Sequence, residues 1–461
     1  MRFALHDKTF YKKTLRLMAP VVLQQLISVG VNFMDNLMIG GLGEAAISAS
    51  SFSNQFYSLF QFICMGLGSG AVVLSSQLWG KRELDSMRRA ASIALRLTVA
   101  LCALFTVVTV AYPHMILDLF TKERAVVQVG APYLRLLGVT FLLSGLASTA
   151  TFLLRSTGAV TVPLIGSAVA FVLNIFFNWV FIHGHLGAPA LGLVGAAVGT
   201  VIARVMEFLI VFGHFILRDT QFGFRLRHFL LSGGALWKPY FKFGLPVLIS
   251  DTLLGISLVL ITVIMGNMSS TVSAANAMVD SVVHLIAIAN AGMAGAAAIV
   301  IGNTIGMGDL ERAKREGNSY MLLSFGMGFV LSGILFLLMG PYFARYAVAE
   351  ETLALARRML TLICLWMPLQ ANAYVSSKGV LRGGGDTRFI LVADSALLWF
   401  IALPMAALTG LVWKTDPIVP FLFLRMEYPV KGIVCFVRYC TGRWIKEIKV
   451  KKVSEENQKH A

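Results

Sequence analysis

A stripe of polar side chains follows one face of the first predicted helix and ends in a carboxylate. Gln25, Ser28, Asn32 and Asp35 are spaced by three, four and three residues, so they share one helical face. Asp35 lies about 22 Å along the helix from Pro20, at ~1.5 Å per residue. A carboxylate at that depth can hold a proton or a cation, or it can join neighbouring helices by hydrogen bonds. We interpret Asp35 as a coupling residue.

Amide and hydroxyl groups on two later predicted helices could complete a cation site. Asn174 and Asn178 are four residues apart and share a face with Ser167, and Thr200 lies on the next helix. Carboxylate, amide and hydroxyl oxygens are hard ligands that suit a hard cation. The same groups could instead hydrogen-bond a protonated Asp35. The sequence therefore predicts a coupling site for Na⁺ or H⁺, with Asp35, Asn174 and Asn178 as ligands if the ion is Na⁺.

Other polar residues in apolar segments are predicted to line a substrate cleft. On the second helix they recur at helical spacing, and on the eighth they are four residues apart. Asp280 and His284 could alternatively pair with each other. The predicted cleft residues are Gln25, Asn32, Asn54, Gln61, Asn276, Asp280, His284, Gln370 and Asp394.

Acids in the second half of the chain offer another coupling site. Asp251 lies about 7.5 Å into the seventh helix from Pro246, and Asp394 lies on the eleventh. Either could hold a proton or a cationic substrate, or form a structural ion pair, for instance with Lys378. Asp251 is therefore included among the predicted coupling residues.

The elements that must position these residues are membrane-spanning helices. The chain of 461 residues is 57% hydrophobic and 13% charged, with a mean hydropathy of +0.76, whereas soluble domains carry about 25% charged residues. Spanning a bilayer takes about 20 apolar residues. Twelve segments are long enough, namely 15–39, 45–66, 90–112, 130–153, 162–182, 191–217, 238–265, 271–301, 317–340, 354–381, 388–411 and 415–438. The last is the most polar, because it contains Arg425, Glu427 and Lys431.

The net charge of +16 comes from basic clusters between the apolar segments. This distribution is typical of cytoplasmic loops and argues against a nucleic-acid partner. The predicted inner loops hold most of the 39 lysines and arginines. We expect a multi-pass protein of the inner or plasma membrane, monomeric in the lipid bilayer, with both termini in the cytoplasm.

The sequence repeats itself at a nearly constant offset. Pro20 matches Pro246 and Gly40 matches Gly266, each 226 residues on, and Arg155 in "LRSTGAVT" matches Arg382 in "LRGGGDTR" at 227. An even number of helices in each half predicts parallel repeats related by a pseudo-twofold axis along the membrane normal. The predicted division is a six-helix lobe at 1–217, a cytoplasmic linker at 218–237 and a second six-helix lobe at 238–461.

Two like bundles suit alternating access by a secondary transporter. The chain has no P-loop Gly-x-x-x-x-Gly-Lys-Ser/Thr, no His-Glu-x-x-His and no nucleophile with a base in a recognisable motif. An enzyme or an ATP-driven pump is therefore not expected, and no cofactor is expected beyond the coupling ion. A channel remains an alternative, although a pore does not require this repeat.

The chain resembles the multidrug and toxic compound extrusion (MATE) family of the MOP flippase superfamily. The resemblance rests on "MDNLMIGGLGEAAISA", "GLGSGAVVLSSQLWGK", "LRSTGAVTVPLIGSAVAFVLNIFFNWVFIHG", "LRGGGDTRF" and "RYCTGRWIK". It implies two six-helix lobes around a V-shaped cleft, and export of amphiphilic, often cationic small molecules against inward flow of Na⁺ or H⁺.

Asp35, Asn174 and Thr200 resemble the family's first-lobe cation site, and Asp251 resembles an acid that other members carry on the seventh helix. The chain departs from the pattern at Asn178, where many members have Asp, which lowers the formal charge of the site from −2 to −1. A lipid-linked or polyprenyl flippase of the same superfamily is the alternative. A flippase would favour a basic cleft for pyrophosphate, whereas the predicted cleft is acidic or neutral apart from Arg204 and Lys378.

Overall fold

Long apolar helices make up nearly all of the chain that the computed structural model describes, residues 7–346 and 348–448. No strand occurs among these residues. The main helices are α1 Lys8–Ile39, α2 Glu44–Gly80, α3 Leu84–Ala111, α4 Arg124–Ser156, α5 Thr161–His183, α6 Leu193–Leu217, α7 Trp237–Gly266, α8 Ser270–Gly306, α9 Leu310–Phe343, α10 Glu350–Leu381, α11 Thr387–Val412 and α12 Ile418–Cys440.

These helices satisfy their backbone hydrogen bonds internally, which a bilayer requires. Within the described ranges, eleven helices are long and apolar enough to cross a membrane. The remaining one, α12, is long enough but carries Arg425, Glu427 and Lys431, which lower its hydropathy. Large apolar side chains such as Leu337 and Phe400, 77% and 81% exposed, lie on surfaces that suit lipid contact. The all-helical membrane fold predicted from the sequence is confirmed.

The chain divides into two compact units. The first unit is Leu23–Gly244, and the second unit consists of residues 7–22 together with Leu245–Ile448. Both cuts fall inside helices, in α1 just after Pro20 and in α7 just before Pro246. Residues 7–22, which the repeat assigns to the first lobe, thus group with the second unit. The division at 1–217, 218–237 and 238–461 describes the repeat and stays a prediction.

The end of α10 is wound as a π-helix from Val375 to Leu381. Gly379 in this turn packs so closely on α8 that an added Cβ would lie 2.9 Å from Cβ of Ala297 and 3.1 Å from Cα of Ala294. Small residues allow this approach of helix backbones. Because π-turns often mark functional positions, the neighbouring Lys378 becomes a residue of interest.

The "LRGGGDTR" turn after α10 is held by the end of α12 and by the segment that follows it. Asp386 is fully buried there, 2.6 Å from Nε of Arg438, and it also pairs with Lys446. The backbone N–H of Lys446 donates to the carbonyl oxygen of Gly384 over 2.8 Å. The "LRGGGDTR" and "RYCTGRWIK" motifs therefore form one structural element.

Candidate ion-coupling site

A small polar cavity lies inside the first unit, between α1, α2, α4, α5 and α6. Its volume is about 50 Å³. That is room for water or an ion, well below the roughly 300–1,000 Å³ of a small-molecule pocket. The cavity is therefore the size of an ion or proton site. Its polar lining residues are Ser28, Asn32, Asp35, Asn54, Tyr57, Tyr133, Ser167, Asn174, Thr200, Arg204 and Glu207.

A chain of side-chain hydrogen bonds holds the carboxylate in this cavity. Asn178 Nδ2 donates to Asp35 Oδ1 at 2.5 Å and, more weakly, to Asn174 Oδ1 at 3.4 Å. Asn174 Nδ2 in turn donates to Thr200 Oγ1 at 3.3 Å. Asn174 and Asn178 are buried, 2% and 0% exposed. The four residues predicted from α1, α5 and α6 are thus brought together at one place.

Close packing of α5 on α6 fixes the position of Asn178. An added Cβ on Gly199 would lie 3.0 Å from the backbone nitrogen of Asn178 and even closer to its side-chain oxygen. Only a glycine leaves room for the asparagine there. Asn178 Oδ1 is a buried acceptor without a hydrogen-bond partner, so one ligand atom of the site stays unused in this arrangement.

An ion pair shares the cavity with Asp35. Arg204 Nη1 lies 2.6 Å from Glu207 Oε2, three residues further along α6. Ser167 Oγ donates to Glu207 Oε1 at 2.9 Å and accepts a hydrogen bond from Gln24 Nε2 at 2.9 Å. Gln24 also accepts from Arg155. The sequence singled out the neighbouring Gln25, but it is Gln24 that joins this network. Glu207, which lines the same cavity as Asp35, was not among the predicted site residues.

In the second unit, Asp251 is surrounded by cations. It is 1% exposed, with Lys378 Nζ 2.8 Å from Oδ1 and Arg382 Nη2 2.8 Å from the same oxygen. Lys378 also lies 2.8 Å from Asp394 Oδ2 and donates to Ser250 Oγ at 3.1 Å. The ion pair with Lys378, which was one of the alternatives for Asp251 and Asp394, is present for both.

Lys431 on α12 completes this second cluster. Its Nζ lies 3.0 Å from Asp394 Oδ1 and 3.6 Å from Glu427 Oε1. In the sequence, Glu427 and Lys431 stand out only as charges that lower the hydropathy of the last apolar segment. These charges were the sequence signal for a buried cluster, because a charged residue in a spanning helix needs a partner inside the protein.

The other predicted cleft residues have varied surroundings. Asn276 donates to Asp280 Oδ2 at 2.7 Å, and Arg425 lies 3.4 Å from Asp280 Oδ1. His284 is exposed. Gln61 donates to the hydroxyl oxygen of Tyr57 at 2.5 Å, and Gln370 is buried at 7% exposure. A role of these residues in substrate binding stays a prediction.

The profile of the MatE family matches residues 20–180 and 246–408 of this chain, which together are more than half of it. The chain belongs to the MATE family. The two matched segments start at the repeat-related prolines Pro20 and Pro246, so each half of the repeat matches the family separately. The resemblance inferred from the sequence motifs is confirmed. As a MATE protein, the chain is a multi-pass membrane protein of a transporter family.

Curated relatives extend over most of the chain. The "Probable multidrug resistance protein YoeA" of Bacillus subtilis (strain 168) is 26% identical over 394 residues, 84% of each chain. The "Multidrug resistance protein NorM" of Aliivibrio fischeri (strain ATCC 700601 / ES114) is 27% identical over 424 residues, 88% of each.

Solved MATE structures share the fold. A MATE crystal structure in a bent conformation superposes with a TM-score of 0.84 at 19% identity, covering 94% of this chain and 96% of that one. An outward-facing multidrug resistance MATE transporter gives a TM-score of 0.84 at 19% identity, covering 95% and 97%. At these identities the likeness establishes the fold, with its two six-helix halves.

Proposed function

We propose that this MATE protein is a secondary antiporter that exports small amphiphilic compounds, cationic ones included, in exchange for Na⁺ or H⁺. One observation carries the proposal: the Asp35 carboxylate lies in an ion-sized cavity, hydrogen-bonded by Asn178 and flanked by Asn174 and Thr200. A carboxylate within a spanning helix is costly unless a proton or a cation neutralises it. The site can therefore alternate between a loaded and an unloaded form.

Ion binding drives transport only if the ion prefers one conformation over the other. Asp35 on α1, the two asparagines on α5 and Thr200 on α6 come from three helices. Binding an ion among them draws these helices together, whereas the empty site leaves them held only by the hydrogen bonds described above. Such a difference in affinity is the coupling that antiport requires.

The substrate class is supported by the names of the relatives, several of which are called multidrug resistance proteins. The cavity at Asp35 is too small for a drug-sized molecule, so the substrate would bind elsewhere in the protein. We further propose that the chain acts as a monomer in the cytoplasmic or plasma membrane with both termini inside. The excess of basic residues in the predicted inner loops supports this orientation.

Dye accumulation in an efflux-deficient cell tests the proposed function. Expression of the wild type should lower the accumulation of ethidium several-fold, and a protonophore combined with Na⁺ removal should restore it. Asp35→Asn should abolish the effect at equal expression, whereas Asp416→Asn, in an exposed ion pair with Arg358, should not. Extrusion that persists on ATP after both ion gradients have collapsed would contradict the proposal.

A further inference from the structure

Both halves of the repeat carry a partly or fully buried base on their sixth helix. Arg204 on α6 and Lys431 on α12 are 227 residues apart, the same offset that relates Arg155 to Arg382. The side chain of Arg204 is 26% exposed and that of Lys431 is 5% exposed. The repeat thus places a cation at the same position of each half, although the surrounding acids differ.

In the first unit, the base and the acids share one space. Arg204, Glu207 and Asp35 all line the cavity of about 50 Å³. Two carboxylates and one guanidinium give this group a formal charge of −1, against −2 without the guanidinium, so Arg204 weakens the attraction of the cavity for an added cation. A guanidinium keeps its charge at any physiological pH, so the positive charge stays in the cavity whether or not Asp35 is loaded. Arg204 is held there by Glu207 at 2.6 Å and lies over the ring of Tyr57 at 5.8 Å.

In the second unit, cations occupy the oxygens that a metal ion would need. Lys431 and Lys378 lie 3.0 and 2.8 Å from the two oxygens of Asp394. Lys378 and Arg382 form ion pairs with Asp251, and Lys431 also forms an ion pair with Glu427. Three acids and three bases balance, so the cluster offers no excess negative charge to an added ion.

A metal cation and a proton respond differently to such a fixed charge. Na⁺ needs several oxygen ligands at once and is repelled by a positive charge in the same cavity. A proton binds a single carboxylate oxygen and needs no cage of ligands. It can therefore neutralise Asp35 in the cavity that Arg204 also lines, whereas the guanidinium would repel a Na⁺ ion that entered the same cavity.

We propose that Arg204 and Lys431 are built-in cations that exclude Na⁺ from the two units, so that the coupling ion of this transporter is the proton. In this arrangement Asp35 takes up the proton, and Glu207 holds Arg204 in the same cavity. Arg204 and Lys431 are specificity-determining residues for the ion, and neither has to change its own charge. The proposal rests on the proposed function for its role in transport, but the exclusion of Na⁺ is a binding property that is measured separately.

Binding of ²²Na⁺ to the purified full-length protein, measured by scintillation proximity, tests the exclusion without any transport. The wild type should retain no ²²Na⁺ above background at millimolar NaCl. Arg204→Gln should retain at least tenfold more ²²Na⁺ than the wild type under the same conditions, and so should Lys431→Gln. The matched control Arg358→Gln, which removes an exposed arginine from its pair with Asp416, should behave as the wild type.

Each outcome decides a part of the proposal. Na⁺ binding by the wild type would overturn it, and failure of a folded Arg204→Gln or Lys431→Gln variant to gain Na⁺ binding would overturn the role of that residue. If Arg204→Gln does not fold, the pair Arg204→Gln with Glu207→Gln removes both partners together and should still gain Na⁺ binding. In proteoliposomes, ethidium transport by the wild type should follow an imposed H⁺ gradient and ignore a Na⁺ gradient. Transport driven by Na⁺ alone would contradict the inference, whereas transport under neither gradient would count against the proposed function.

Discussion

Asn178 Nδ2 lies 2.5 Å from Asp35 Oδ1 and donates one of the hydrogen bonds that tie α5 to α1. Because Asn178 is fully buried, no water can replace its amide without a rearrangement of the helices. The orientation of the Asp35 carboxylate therefore depends on this amide and on the residues that position it.

Removal of that amide should uncouple the transporter. Asn178→Leu keeps a side chain of similar size but leaves Asp35 without its donor, and an unsatisfied buried polar group costs about 1–3 kcal/mol. We expect gradient-driven dye efflux to fall by at least tenfold at unchanged membrane expression. The measurement is the initial rate of efflux from loaded cells. A leucine variant that transports as the wild type would mean that the contact does not position Asp35.

A single methyl group at Gly199 on α6 should also disturb the contact between Asn178 and Asp35. Its Cβ would clash with Asn178, so Gly199→Ala should push that side chain off Asp35 and reduce efflux several-fold. Gly213→Ala is the matched control on the same helix, because an added Cβ there meets nothing within 4 Å. Equal efflux by the two alanine variants would contradict the close packing of α5 on α6 at this point.

The charge cluster of the second unit should matter for stability. Asp251→Asn leaves Lys378 and Arg382 without their shared partner, and breaking one side of a buried pair typically costs about 3–5 kcal/mol. We expect a large fall in the thermal unfolding midpoint of the detergent-purified protein. Asp416→Asn, which breaks an exposed pair with Arg358, should cost only about 0–1 kcal/mol. Similar unfolding midpoints for the two variants would show that the buried cluster is not a structural element.

Much of the fold could be predicted from the sequence, because hydrophobic length alone defines a spanning helix. The predicted segment 162–182 corresponds to the helix Thr161–His183, and the predicted segment 271–301 corresponds to the helix Ser270–Gly306. Helical periodicity placed Asn174 and Asn178 on one face of α5, since helix geometry fixes which side chains share a face, and that face meets Asp35 in the structure.

The partners across helices could not be read from the sequence. Periodicity gives the face of a helix but not the neighbour that it meets. The cavity that Glu207 shares with Asp35 and the ion pair of Lys431 with Asp394 therefore emerged only from the packing. Gln24 accepts a hydrogen bond from Arg155 although Gln25 has the regular spacing. Adjacent residues are about 100° apart around a helix, and the long glutamine side chain of Gln24 still reaches the neighbouring helix. Residues 7–22 belong to the first half of the repeat but group with the second unit. This grouping also depends on packing alone.

The orientation of the chain can be tested with a native cysteine. Cys440 is exposed, while Cys64, Cys102, Cys364 and Cys435 are buried. A membrane-impermeant maleimide should therefore label Cys440 in inside-out vesicles and leave it unlabelled in intact cells. Lys122→Cys, in a loop predicted to face outward, should show the reverse in a background where Cys440 is serine. Labelling of Cys440 from outside intact cells would contradict the proposed topology.

The central claim, that Asp35 couples an ion gradient to export, is tested most directly in proteoliposomes under separately imposed H⁺ and Na⁺ gradients. Wild type and Asp35→Asn should be compared for ethidium transport, with ethidium binding measured on the same preparations. We predict that Asp35→Asn binds ethidium within about twofold of the wild type but transports it at the background rate under either gradient. Transport by Asp35→Asn at the wild-type rate would contradict the account and make Asp251 the leading candidate for the coupling residue.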